Sequence, residues 1–113
     1  MPNIFSCDPG WLEKLKKGQD KVVIATWKEG SPGVDRYLES LQQLEDQGIP
    51  VFVVDATSCP KIADSLNTKE SGETVVFSKG KEVGRLTPGG NPSDDLAKVK
   101  DMANGKGGRD GIS

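Results

Sequence analysis

Covalent chemistry in this chain can come from only a few side chains, and two of them are thiols. Cys7 and Cys59 are its only cysteines. They are too few and too far apart for a disulfide scaffold. Cys59 opens a segment, TSCPKIADSL, that reads as a short helix, and a helix amino terminus lowers a thiol pKa and raises its reactivity. Lone cysteines otherwise serve as small buried hydrophobes. The third candidate is Ser31, in the turn Ser31, Pro32, Gly33, Val34 that joins a hydrophobic strand to an amphipathic helix. Many enzymes keep a nucleophile at such a junction, beside the helix amino terminus. The chain contains no histidine, and a serine hydroxyl without a base keeps its proton near neutral pH. Ser31 is therefore better suited to capping the helix, worth about 1 kcal/mol, or to hydrogen bonding a ligand or partner.

Other chemistry finds little support. Without histidine the commonest zinc ligand and general base are gone, and the single carboxylate of DAT after the second long strand is too little for a hard-metal site. DPG, SPGVD and TPGG lack the glycine and lysine spacing of a phosphate loop. Asp35, Glu39, Glu45 and Asp46 fit a solvated helix face, and Asp94 and Asp95 a helix's first turn. The expectation is no metal and no cofactor. A net charge of −2, with acids and lysines interspersed, argues against nucleic acid as ligand. No segment approaches the roughly 20 apolar residues of a membrane span, and the first ten residues have no signal-peptide pattern. A cytoplasmic protein is expected.

The elements that must position these residues follow from apolar spacing. The 113 residues, 34% hydrophobic and 28% charged, suit one domain over residues 1–103. The glycine-rich residues 104–113 read as a disordered tail. A short strand is expected at residues 3–6, then a helix in which Ser6 or Asp8 caps, Pro9 opens, and Trp11, Leu12 and Leu15 share a face. The run Val22, Val23, Ile24, Ala25 suits a strand covered on both faces. A helix over residues 32–47 ends at Gly48, and residues 49–55 form a second buried strand. Thr57 or Ser58 caps a short helix opened by Pro60. Residues 73–77 and 81–86 form a hairpin around Ser78, Lys79 and Gly80. Asn91 and Pro92 start a last helix with Leu96, Val99 and Met102 or Ala103 inside. The order β-α-β-α-β-α-β-β-α implies an α/β fold, a central mixed sheet with helices on both faces.

That order resembles thioredoxin over roughly residues 3–103. The matching stretches are VVIATW before the first long helix, VFVVDAT before a Pro-started helix, VVFSKGKEVGRL as the hairpin, and a glycine pair before the last helix. The resemblance implies a thioredoxin-like fold. It also implies a Cys-Gly-Pro-Cys turn, a buried aspartate and a cis-proline, yet these positions fall on Ser31 to Val34, on Ala25, and on Gly72 or its neighbour. Disulfide exchange needs an attacking thiolate and a resolving thiol. The family site is thus expected to be redox-inactive, and the chain to be no enzyme but a non-catalytic protein that binds another protein as adaptor, subunit or regulator.

In thioredoxins the groove between the cysteine turn and the cis-proline loop takes an extended peptide. The matching surface here is Trp27 with Gly30, Ser31, Pro32, Gly33 and Val34, facing Ser71, Gly72, Glu73 and Thr74, and bounded by Gly89 and Gly90. Trp27 is either the anchor of such a partner or packing under the turn, and Glu73 would favour a basic or amide-rich segment. The same resemblance makes the strands before Cys7 and Cys59 parallel neighbours, so both cysteines emerge at the sheet's carboxyl edge, where ligands commonly bind. Three readings stay open for them: incidental residues, a stabilising or regulatory pair, or a thiol-dependent redox couple moved to new positions.

Overall fold

The computed structural model describes residues 7–27, 34–68, 73–87 and 91–105. Its elements are α1 (Pro9–Gly18), β1 (Lys21–Trp27), α2 (Val34–Asp46), β2 (Val51–Asp55), α3 (Pro60–Ser65), β3 (Thr74–Ser78), β4 (Lys81–Leu86) and α4 (Pro92–Ala103). The strand expected at residues 3–6 lies outside the described residues. Among those described, the strands form one mixed sheet in the order β2-β1-β3-β4. β1 pairs in parallel with β2 and antiparallel with β3, and β3 pairs antiparallel with β4.

Alternation along the strands divides the core in two. Val23 and Ala25 of β1, Val51 of β2 and Val76 of β3 meet Tyr37, Leu41 and Leu44 of α2 and Val99 and Ala103 of α4. On the opposite face Val22, Ile24, Val54, Val75 and Phe77 meet Leu12 of α1 and Ile62 and Leu66 of α3, with Cys59 among them. Helices cover both faces as the sequence implies, and the unbroken apolar run of β1 is buried because both of its faces are covered.

Local signals set most boundaries. Asp8 caps α1 by accepting from the Gly10 amide at 3.1 Å. Gly48, at φ +88°, ends α2 in a Schellman turn, with the Ile49 amide donating to the Leu44 carbonyl and the Gly48 amide to that of Glu45. Lys79 and Gly80 both have positive φ, the conformation of a two-residue hairpin turn matched to strand twist. Ser78 accordingly belongs to β3 rather than to the turn. Asn91 caps α4 through the Ser93 and Asp94 amides. Asn104, placed in the tail by composition, follows α4 directly and accepts from Lys21 Nζ at 2.9 Å.

Two buried hydroxyls hold α2 to the sheet beneath the start of β3. Tyr37 donates to Thr74 Oγ1 at 2.7 Å. Burial pushes the Tyr37 phenol up from 10.0 to about 12, against the Thr74 hydrogen bond and with help from the charge of Asp95. The unfolded chain therefore loses this proton first. Its contribution to stability is complete below pH 10.0 and is lost as pH rises toward the folded value. Tyr37 is the chain's single tyrosine, so an ultraviolet titration of the phenolate reads it alone. The native protein is expected to ionise near pH 12 and the denatured chain near pH 10; a native midpoint equal to the denatured one would show that the phenol is solvated.

Candidate functional site

The carboxyl ends of β1 and β2 lie side by side, with Trp27 opposite Asp55 in register. The chain leaving β2 turns at once, and the Ala56 amide donates to the Trp27 carbonyl at 2.9 Å. Thr57 and Ser58 were expected to cap α3, but the cap position is Cys59, whose side chain makes no capping hydrogen bond. The reason is Asp55. Its carboxylate accepts from the Thr57 amide at 2.8 Å, from the Ser58 amide at 3.4 Å and from the Ser58 hydroxyl at 3.2 Å. A carboxylate outcompetes a hydroxyl for backbone donors, so these residues form a turn and the helix begins after it. The Cys59 amide donates to the Asp55 carbonyl at 2.8 Å, which fixes the cysteine over the end of β2.

Cys7 arrives from the other side, immediately before the cap of α1. Cys7 and Cys59 are joined by a disulfide, with Cα atoms 5.0 Å apart, within the normal span of such bridges. The bond ties the amino-terminal ends of α1 and α3 together. Its two ends differ sharply. Cys59 is 3% exposed, packed among Leu12, Ile62 and their neighbours, whereas Cys7 is exposed. Cys7 Sγ lies 3.7 Å from the Ser58 carbonyl oxygen. In the disulfide this is a packing contact, since the sulfur carries no proton; in the dithiol the Cys7 S–H can donate to that oxygen.

This pair overturns the expectation that every redox cysteine of the chain had been replaced. The positions matched to the family motif do lack sulfur, but the chain is not a cysteine-less derivative. The expectation of a redox-inactive, non-enzymatic, purely binding protein fails with it, because two sulfurs at bonding distance can give and take electrons wherever in the fold they sit. The sequence left the pair as one of three open readings, since the pairing depends on two loops meeting over the sheet edge. The one available signal was the resemblance, which implied that the strands before both cysteines are parallel neighbours running to that edge.

The remaining candidates fall out as follows. Trp27 is half-buried at the edge beside Asp55. Gly30, Ser31, Pro32, Gly33, Ser71, Gly72, Gly89 and Gly90 lie outside the described residues, and Val34 opens α2. Thr74 is fully buried and bonded to Tyr37. Glu73 was read as a charge offered to a partner, but its carboxylate accepts from Arg85 at 2.8 Å and from the Thr87 hydroxyl at 3.1 Å. Among the described residues no cluster of side chains could hold a metal, and no helix is long and apolar enough to cross a membrane.

A mixed open sheet of this order, flanked by helices on both faces, is a thioredoxin-like fold. Neither a family model nor a curated protein matches the chain, whereas solved structures do. Oxidised thioredoxin from Plasmodium falciparum is similar at 13% identity and TM-score 0.76, over 91% of this chain and 98% of that one. Oxidised mitochondrial thioredoxin 3 of Saccharomyces cerevisiae is similar at 19% identity and TM-score 0.74, over 89% and 94%. Fasciola hepatica thioredoxin is similar at 18% and 0.70, over 90% and 99%. At these identities the likeness is one of fold.

Proposed function

We propose that this chain is a thiol–disulfide exchange protein whose redox couple is Cys7 and Cys59. The observation that carries the reading is the disulfide itself, with one cysteine exposed and the other buried. A cytoplasmic location, proposed from sequence, fits this reading, since disulfides in reducing compartments are typically transient and catalytic.

The difference in burial assigns the roles. In the dithiol form the Cys7 thiolate attacks a substrate disulfide. A Cys7–substrate disulfide forms, and the second substrate sulfur leaves as a thiolate that takes a proton from water. The Cys59 thiolate then attacks the Cys7 sulfur, restores the internal bond and releases the first substrate sulfur as a thiol. Two electrons and two protons pass to the substrate, one disulfide becoming two thiols. An external thiol reductant returns the protein to its dithiol form. An incoming thiolate must approach in line with the S–S bond, and enclosure of Cys59 directs it to Cys7.

Reduction of insulin by a dithiol, with wild type, Cys7→Ser and Cys59→Ser compared, tests the reading. Wild type is expected to accelerate the reaction and both variants to lose that acceleration. Cys59→Ser alone should accumulate a mixed disulfide at Cys7, visible by mass spectrometry. A wild-type rate equal to that of the reductant alone, or full activity in Cys59→Ser, would reduce the pair to a structural staple.

A further inference from the structure

We infer that Asp55 selects the exchange partner, favouring thiols and disulfides that carry positive charge beside the sulfur; this deepens the redox reading above and rests on it. Asp55 ends β2, directly before the turn that carries Cys59 and touches Cys7. Its carboxylate binds the Ser58 amide and hydroxyl, and the carbonyl of that same Ser58 lies 3.7 Å from Cys7 Sγ. Its described hydrogen-bond donors, the Thr57 and Ser58 amides and the Ser58 hydroxyl, are all neutral. They orient the charge without cancelling it.

Several backbone donors around the disulfide are already engaged. The Gly10 amide is taken by the Asp8 carboxylate and the Trp11 amide by the Asp8 carbonyl. The Thr57 and Ser58 amides are taken by the Asp55 carboxylate, and the Cys59 amide by the Asp55 carbonyl. The cation nearest to Cys59 in sequence is Lys61, exposed on α3, and no ion pair joins it to Asp55. A partner approaching Cys7 thus meets the field of the Asp55 carboxylate, whose hydrogen-bond donors are neutral. A peptide cysteine flanked by lysine or arginine fits that field, and an anionic thiol does not.

The test opens the disulfide of the oxidised full-length protein with cysteamine, 2-mercaptoethanol and 3-mercaptopropionate, whose thiolates are net neutral, singly negative and doubly negative. Each rate, per thiolate, is divided by that thiol's rate with hydroxyethyl disulfide, which removes intrinsic nucleophilicity. At low ionic strength the ratio is expected to fall about fivefold from cysteamine to 3-mercaptopropionate, and to level out in about 1 M salt, where the screening length is about 3 Å. Asp55→Asn keeps an oxygen that can accept from the Thr57 and Ser58 amides, so the turn is retained, and the ordering should flatten. A flat series in the wild type, or an unchanged series in Asp55→Asn, overturns the inference while leaving the exchange reading intact. Failure of all three thiols to open the bond removes both. The salt series needs no variant, so it stands even if Asp55→Asn folds poorly.

Discussion

Reducing the Cys7–Cys59 bond is expected to lower stability by about 4 kcal/mol and the melting temperature by about 15 °C. The bridge spans a sequence separation of 52, and closing a loop of that length removes conformational freedom from the unfolded chain far more than it alters the native one. The native side changes little on reduction, because Cys59 still fills its place among Leu12, Ile62 and Leu66 as a thiol. Against a total of about 5 to 15 kcal/mol for an ordinary domain, that loss is large. Denaturant titration with and without a phosphine reductant measures it. The double variant Cys7→Ser/Cys59→Ala should match the reduced wild type and ignore the reductant. A shift below about 1 kcal/mol would mean that the pair does not constrain the unfolded chain.

Linkage makes the same number a statement about redox poise. If the disulfide stabilises the fold by about 4 kcal/mol, the fold stabilises the disulfide equally. The pair in the native protein then has a reduction potential about 85 mV below that of the same two cysteines in the unfolded chain. Equilibration with glutathione, native and in denaturant, reads this difference directly. Stability and exchange chemistry are therefore coupled, and a substitution that loosens the packing around Cys59 should raise the potential as it lowers the melting temperature.

The fold was legible because its signals are local. The run Val22 to Ala25 could only be a strand covered twice, the Asn91-Pro92 start and Gly48 stop are short-range steric facts, and Lys79-Gly80 names its own turn. The site was legible only as an open alternative, for the opposite reason. Cys7 and Cys59 meet only because α1 and α3 both begin at one sheet edge, and nothing near either residue in sequence announces the other. The cap of α3 was misassigned on the same ground. Thr57 and Ser58 are good caps in isolation, and they lose their role to Asp55, whose carboxylate reaches the same amides from the strand end. The register shift that falls between Val76 and Phe77 of β3 and leaves Val83 exposed on β4 is likewise invisible in a strand pattern. Gly84 has a tertiary reason too, since a Cβ there would lie 2.0 Å from Met102 Sδ on α4.

The largest feature hidden from sequence is Arg85, and its removal is the second expected result. Its guanidinium binds Glu82 through two nitrogens at 2.9 Å each and Glu73 at 2.8 Å, and donates to the Leu66 carbonyl at 2.8 Å and the Asn67 carbonyl at 3.4 Å. One side chain thus joins the carboxyl end of α3 to the start of β3 and to β4. Hydrogen bonds to Glu82 hold the Arg85 charge more firmly than usual, and hold the Glu82 carboxyl below its ordinary range. The Glu82 arm is exposed, its carboxylate side chain 42% accessible, and contributes little. The Glu73 arm is different, with both side chains at 25% accessibility or less. Arg85→Ala removes the Arg85–Glu73 ion pair and the guanidinium donors to the end of α3, at a cost of about 2 to 3 kcal/mol. Arg85→Lys recovers less than half, since one ammonium cannot reach acceptors on three sides. Glu82→Gln is expected to cost under about 1 kcal/mol.

Because Arg85 fastens one end of α3 and the disulfide the other, the two should be coupled. Arg85→Ala is expected to destabilise the reduced protein more than the oxidised one, in a cycle of four denaturant titrations. By reciprocity the same variant should then lower the reduction potential, since a dithiol form that has lost its remaining anchor is the one penalised. Equal losses in the two redox states would show instead that the ends of α3 are held independently. In that case the guanidinium bears on the strands and on its individual acceptors alone, and not on the helix that carries Cys59.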